Sequence, residues 1–296
     1  MGAGGIMLLS GSFPASALAT AATTKITILH TNDVHSRIEP FPNDGGRYAG
    51  LGGAARRAAL IERIRALEPN VLLFDSGDMF QGTPYFNQFG GELEFKLMSR
   101  MGYNAATIGN HDFDAGIDGL VNQLKHANFP LISSNYEVAD TPLNSNVYTS
   151  KIFNIAGIRI GVFGLGIELA GLVPKSLYGD VRYVDPVGVA NATALHLRKE
   201  RNCDYVVCLS HLGYEYSGSQ ISDRKLASIT RHVDLILGGH THTLLDEPVI
   251  VKNEAGQNVL INQVGWAGIA LGRIDVYFRP GKKGVAFASR NMFINS

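Results

Sequence analysis

Only two cysteines occur in the 296 residues, Cys203 and Cys208, set five apart around the apolar run 205–207. That count excludes a disulfide framework and leaves a zinc–thiolate site short of ligands, so both read as small core residues. Neither sign of charge dominates, Lys+Arg and Asp+Glu each numbering 26. The balance provides no basic footprint for nucleic acid and no acidic tail, so partners have to be sought in local residue patterns. No apolar run approaches the ~20 residues of a membrane-spanning helix, and neither an internal repeat nor a low-complexity linker is found. A soluble mature chain is expected. With 45% hydrophobic residues over this length, one large core can be buried, which favours one big domain with at most a small appendage.

The first 24 residues differ from the rest. No charge precedes Lys25, residues 6–9 are apolar, Pro14 interrupts, and Ala17-Leu18-Ala19 has the small-x-small form of a cleavage region. The basic leading region of an export signal is absent. Residues 1–24 are therefore expected to be a signal remnant or a loose tail, residues 25–296 the folded domain, and the protein exported to the periplasm or the cell surface.

Along the chain, short buried-strand patterns alternate with amphipathic helices. Strands are predicted at 26–29, 71–74, 105–108, 131–133, 205–209 and 233–237, with helices at 52–67, 92–101, 117–127 and 187–201. The first helix carries Ala55, Ala59, Leu60, Ile64 and Leu67 at spacings suited to one buried face. Residues 152–165 read as a hairpin turning at Ala156-Gly157, and the chain closes in strand-like runs near 249, 259 and 269–278. Parallel-type strands followed by antiparallel ones predict a layered α/β fold with mixed sheets.

Five of these strand ends carry metal-donor side chains. Asn32, Asp33 and His35 follow the first; Asp75 and Asp78 the second; Asn110, His111, Asp112 and Asp114 the third; Ser210 and His211 the next; and His240 and His242 the last. In open α/β sheets ligands bind beyond the carboxyl ends of strands, so these groups are expected to converge. The set Asp33, His35, Asp78, Asn110, His211, His240 and His242 offers only nitrogen and oxygen donors, which suits zinc, manganese, iron or cobalt. Seven donors exceed one tetrahedral ion, and two divalent ions sharing a carboxylate would use them. Such a pair leaves net positive charge facing a phosphate ester, makes hydroxide available near neutral pH and clamps the phosphoryl oxygens. His111 adjoins Asn110 too closely to join it comfortably on the same ion; it can stabilise developing charge or protonate the departing oxygen, with Asp114 orienting its ring.

Taken singly, each of these residues is an ordinary loop acid or cap. His30 reads as a packed neighbour of the site, and His126, His196 and His232 as solvated helix faces. Asp75 and Asp112 read as supports. Ser134 and Asn135, at another strand end, can be phosphate contacts or turn residues, and Gly52-Gly53 is explained equally well as a helix start or a phosphate cradle.

His30-Thr31-Asn32-Asp33-Val34-His35, Asp75-Ser76-Gly77-Asp78, Gly109 through Asp114, Ser210-His211 and Gly238-Gly239-His240-Thr241-His242 together resemble the five ordered motifs of the calcineurin-like metallophosphoesterases. More narrowly, they are similar to the catalytic domain of 5′-nucleotidases, over about residues 25–280. The resemblance implies a four-layer α/β/β/α sandwich. It implies one metal on Asp33, His35, Asp78 and His242 and a second on Asp78, Asn110, His211 and His240, with Asp78 bridging. It makes His111 and Asp114 the catalytic dyad, with Asn110 and His111 touching substrate. The implied reaction is hydrolysis of a phosphate monoester, first of all a nucleoside 5′-monophosphate, with cyclic nucleotides and nucleotide pyrophosphates as related substrates. Two-domain members of the family stack the base against a carboxyl-terminal domain; none is expected within residues 25–296, and a separately encoded chain supplying it, or a smaller substrate, is expected. Sulfur-ester hydrolysis on the same scaffold and a silent metal-binding partner protein are the competing readings, the second opposed by the intact His111–Asp114 pair.

Overall fold

In a computed structural model of the chain, residues 6–8, 23–279 and 284–295 are described. β1 (Ile6–Leu8) and β2 (Thr24–Thr31) are followed by α1 (Ala54–Leu67), β3 (Val71–Asp75), α2 (Pro84–Phe89), α3 (Glu92–Met101) and β4 (Ala105–Ala106). A tight turn at His111–Phe113 leads into α4 (Gly116–Leu124), β5 (Leu131–Ile132), β6 (Tyr136–Glu137), β7 (Val147–Tyr148), β8 (Ser150–Ile155) and β9 (Ile158–Leu165). Then come α5 (Lys175–Tyr178), β10 (Arg182–Tyr183), α6 (Pro186–Leu195), which runs on through a wider turn at His196–Glu200, and β11 (Tyr205–Ser210). The chain continues through α7 (Asp223–Ile229), β12 (Leu235–Leu237), β13 (Val249–Lys252), β14 (Asn258–Asn262), β15 (Ala270–Phe278) and β16 (Gly284–Phe293).

The strands form two mixed sheets. One has the order β1-β16-β15-β2-β3-β4-β5-β7, parallel from β2 to β7 and antiparallel from β2 outward through β15 and β16. The other has the order β13-β14-β12-β11-β9-β8, parallel at its centre with an antiparallel strand at each edge. Successive residues of one strand enter different cores because side chains alternate across a strand. In β3, Leu72 and Phe74 join a core between the sheets, while Leu73 faces α1 and α3. In β11, Val207 and Leu209 enter that same central core, and Val206 and Cys208 face α6 and α7. Three stacked cores separate four layers, the α/β/β/α sandwich that the motifs imply. Cys203 and Cys208 are buried free thiols.

Several expectations need correction. The buried stripe of α1 is Ala54, Arg57, Ile61 and Ile64, whereas Ala55 and Ala59 are exposed and Leu67 is 76% exposed. A buried arginine on the inner face broke the apolar period and shifted the stripe read from sequence. β16 escaped the sequence reading because Ser289-Arg290-Asn291 interrupts its alternation, yet it pairs with β15 along its length. The hairpin turn is as expected: Ala156 (φ 50°) and Gly157 (φ 80°) are both left-handed, as a two-residue type I′ connection between β8 and β9 requires. The leader expected over 1–24 lies outside the described residues, apart from Ile6–Leu8, which pairs antiparallel with 286–288, and residues 23–24 at the entry to β2. Among the described residues no helix is long and apolar enough to cross a membrane.

Candidate metal centre

The donor side chains sit on loops from two different sheets. Asp33 and His35 follow β2, Asp78 follows β3 and Asn110 follows β4 in the first sheet; His211 follows β11, and His240 and His242 follow β12, in the second. Ser76 joins the two sheets: its Oγ donates to Leu237 O at 2.7 Å, and its carbonyl accepts His211 Nδ1–H at 2.6 Å. Within the first sheet, Asp33 N donates to Gly77 O at 2.9 Å and His35 N to Asp78 O at 3.1 Å.

The backbone at these loops is held in a conformation that side chains other than glycine rarely adopt. Asp33, His35, Asp78, His240 and His242 all have positive φ, between 49° and 70°. Each such residue costs of order 1–3 kcal/mol unless its surroundings over-determine it, and clusters of this kind mark functional sites.

Two groups of three donors result, each with its ligand atoms within 4.8 Å of one another: Asp33, His35 and His242, and Asp78, His211 and His240. Asp78 lies between them, its Oδ2 3.8 Å from His35 Nε2 and 3.1 Å from His211 Nε2. Asn110 Oδ1 is 2.9 Å from His240 Nδ1, and so belongs with the second group. At the rim, His111 Nδ1 is 2.9 Å from Asp114 Oδ2, and the His111 backbone N–H donates to Asp78 Oδ1 at 2.8 Å.

The pocket's charge balance fits divalent cations. With Nδ1–H donated to Ser76, the buried His211 Nε2 faces Asp78 yet has no aligned hydrogen-bond partner. Burial alone would strip His211 of its proton, but the carboxylates of Asp78 and Asp33 push it up to about 10. Burial would likewise raise Asp78, and His211, His35 and His111 overcome this to hold it well below the usual carboxylate range. The pocket thus demands positive charge between His211 and Asp78, and a cation there meets the demand while leaving the imidazole neutral. His35 tells the same story: its Nδ1 turns to Phe80 O, and its Nε2 lies 3.1 Å from His242 Nε2, two ring nitrogens facing one space. Burial and the neighbouring His211 bring His240 down to about 4, keeping it a neutral donor. His111 is opposed by burial, but Asp78 and Asp114 raise it overall.

A layer of buried polar groups aims these donors. Asp112, which burial and Asp78 push up to about 7, accepts from the backbone N–H groups of Asp78, Met79, Phe80 and Gly109, tying two ligand loops together. Asp75 accepts from Thr31 Oγ1 and Gly77 N. Asn32 donates to Asp33 Oδ2 at 2.6 Å. Three contributors were missed in the sequence. Gln263 binds Gly239 O through Nε2 and accepts from Thr243 N, holding the His240–His242 loop. Asp223 accepts from Ser210 Oγ beside His211. Trp266 stacks on His242. Gln263 and Trp266 both follow β14, a strand end that carries no acid or histidine to draw notice.

Asn135 is a correction. It is fully buried, and its amide is exchanged with the Gly166 backbone through two hydrogen bonds of 2.8 Å, so it fastens two strand ends rather than meeting substrate. Ser134 Oγ is likewise turned to Thr149 O. His30 is buried and accepts from Asn262 Nδ2. His126 and His196 lie beside Glu92 and Glu200, apart from the donor groups.

Residues 26–244 match the family model described as calcineurin-like phosphoesterase. A snake venom 5′-nucleotidase from Gloydius brevicauda is 33% identical over 92% of this chain and 49% of its own length. Among solved structures, a 5′-nucleotidase precursor from Thermus thermophilus superposes with a TM-score of 0.82 at 33% identity, over 92% of this chain and 55% of that one. The Haemophilus influenzae NAD nucleotidase does so with a TM-score of 0.80 at 27% identity, over 92% and 57%. The chain spans about half the length of the curated relatives it matches. With the family model covering most of the sequence and all five donor-bearing strand ends inside it, the chain belongs to the calcineurin-like phosphoesterase family.

Proposed function

We propose that this chain hydrolyses phosphate monoesters, nucleoside 5′-monophosphates first among them, on a pair of divalent cations. Asp33, His35, Asp78 and His242 would hold one ion, and Asp78, Asn110, His211 and His240 the other. The observation that carries this reading is the position of Asp78 between two donor groups, within 4 Å of a histidine from each. When bound, such a pair makes hydroxide available near neutral pH and neutralises the phosphoryl oxygens of the substrate. The nitrogen and oxygen donors suit zinc, manganese, cobalt or iron.

The remaining chemistry belongs to the chain's own side chains. His111 is 40% exposed at the rim, so its free ring nitrogen can reach a substrate that enters the pocket. Asp114 fixes the other nitrogen, orienting the ring and favouring its charged form. In that state His111 can hold a proton and pass it to the departing oxygen, which a nucleoside needs on leaving. The nucleotide class is supported by the relatives' names, and export by the venom origin of one of them. A hydrolysis panel of nucleoside monophosphates, sugar phosphates and diesters, with and without added manganese or zinc, tests the reading. His111→Ala should lower turnover by about 10²–10⁴-fold, the usual weight of a positioned acid, while metal content stays intact. Equal loss of turnover and metal would overturn the assignment of His111.

A further inference from the structure

We infer that Trp266 is the positioning residue for His242, and that its emission reports cation occupancy of the Asp33, His35 and His242 group. The inference rests on the two-cation reading above. A metal-binding histidine is ordinarily aimed by a hydrogen bond from its other ring nitrogen. Here His35 is aimed by Phe80 O and His211 by Ser76 O. His242 differs from these two. It is the most exposed of the candidate ligands, its side chain 38% accessible, on a left-handed backbone at φ 52°. What holds its ring is a face: Trp266 lies parallel to it within 3°, with ring centroids 5.5 Å apart. Offset stacks of this kind contribute about 0.5–1.5 kcal/mol beyond the area they bury.

The tryptophan is itself fixed on three sides. Phe41 and Tyr48 meet its ring edge-on at 5.9 and 6.2 Å. Its flanking residues are joined to the same loops that carry the donors: Gly265 N donates to Thr243 O at 3.0 Å, Asn32 Nδ2 to Gly265 O at 2.6 Å, and Ala267 N to Asp33 O at 2.7 Å. Gly265 (φ 75°) and Ala267 (φ 54°) give the segment the tight path that turns the indole toward His242. Among the described residues none is seen hydrogen-bonded to His242 Nδ1, and Trp266 stands in for that contact. It is also the one tryptophan of the chain, so no other indole contributes to the emission.

The test is a titration of the metal-free full chain with Co²⁺ against a chromophoric chelator, for the wild type, Trp266→Phe and Trp266→Ala, with thermal unfolding of each. The wild type should bind two equivalents, and its tryptophan emission should fall as the equivalent on the His242 side is taken up. Trp266→Ala should weaken that equivalent about 10-fold, the lower end of what loss of an orienting partner costs, and leave the other within about twofold. Trp266→Phe, which keeps a ring face, should restore most of the loss. Unchanged binding in Trp266→Ala, equal weakening of both equivalents, or emission indifferent to Co²⁺ overturns the role of Trp266. A rise in KM with cation binding unchanged does so too, and makes the indole a substrate shelf. Fewer than two equivalents in the wild type instead defeats the two-cation reading beneath it.

Discussion

Gly109 precedes Asn110 and touches the side chain on which the whole centre turns, so a single added methyl there gives a sharp test. A Cβ at this position would overlap Asp78 Oδ1, and would lie 2.8 Å from its Cγ and 2.5 Å from its backbone nitrogen. Asp78 cannot retreat as a unit, because its N–H is held by Asp112 at 3.0 Å and its carbonyl by His35 N at 3.1 Å. The carboxylate must swing, breaking the 2.8 Å bond from His111 N to Asp78 Oδ1. Overpacking a close-fitted site costs about 1–3 kcal/mol, and losing a hydrogen bond to a charged group about 1.5–3 kcal/mol. Gly109→Ala should therefore lower stability by about 2.5–6 kcal/mol, set against a total of roughly 5–15 kcal/mol. Alternatively, where the loop yields and relieves the strain, cation affinity should fall by about 100-fold, the equivalent of ~3 kcal/mol. Denaturant unfolding and metal analysis read the two outcomes, with Gly218→Ala, which has open space around its Cβ, as the control. A Gly109→Ala protein within about 0.5 kcal/mol of wild type that keeps its full metal content would refute this account of Asp78.

Other substitutions probe the supports. Asp112→Ala strands four backbone N–H groups, each costing about 1–3 kcal/mol when buried and unpaired, so the variant should unfold well below the wild type in a thermal scan. His30 is fully buried, and burial lowers it from 6.5 to about 3. Its folded value lies below its unfolded one, so the stability tied to neutral His30 is complete above pH 6.5 and is lost as pH falls from there toward 3. In His30→Gln the slope of stability against pH in that window should be shallower by up to about 1.4 kcal/mol per unit; an unchanged slope would count against the burial argument. Ala156, exposed and left-handed at φ 50°, should be better served by Asn. Ala156→Asn is expected to raise Tm by about 1–3 °C, and a lower Tm would mean that the turn is not strained.

Much of the centre was legible because its residues are local to strand ends. A buried strand running into Asp, Asn or His is a pattern visible in one dimension: β2 and β11 lead straight to Asn32 and His211, β3 ends in Asp75, and His240 follows β12 after two glycines. Asp78 and His211 stand out as candidates only because five strand ends repeat the pattern together. Asn135 fitted it too and misled, since nothing in its position reveals that both ends of its amide are spent on Gly166. The inner face of α1 misled for a related reason: burial of Arg57 is a tertiary fact that contradicts the period of the apolar residues.

The kinds of donor, their chain order and the alternation of helices with buried strands follow from residue types and spacing, which act over a few positions at a time. Which donors share a space does not, because it depends on how two sheets lie against each other. His240 and His242 are two residues apart, yet one ring meets Asn110 and the other meets His35 and Trp266. That division arises from left-handed turns at both histidines and from cross-sheet bonds such as Ser76 to Leu237, contacts between residues far apart in the chain that form only once the sandwich has closed.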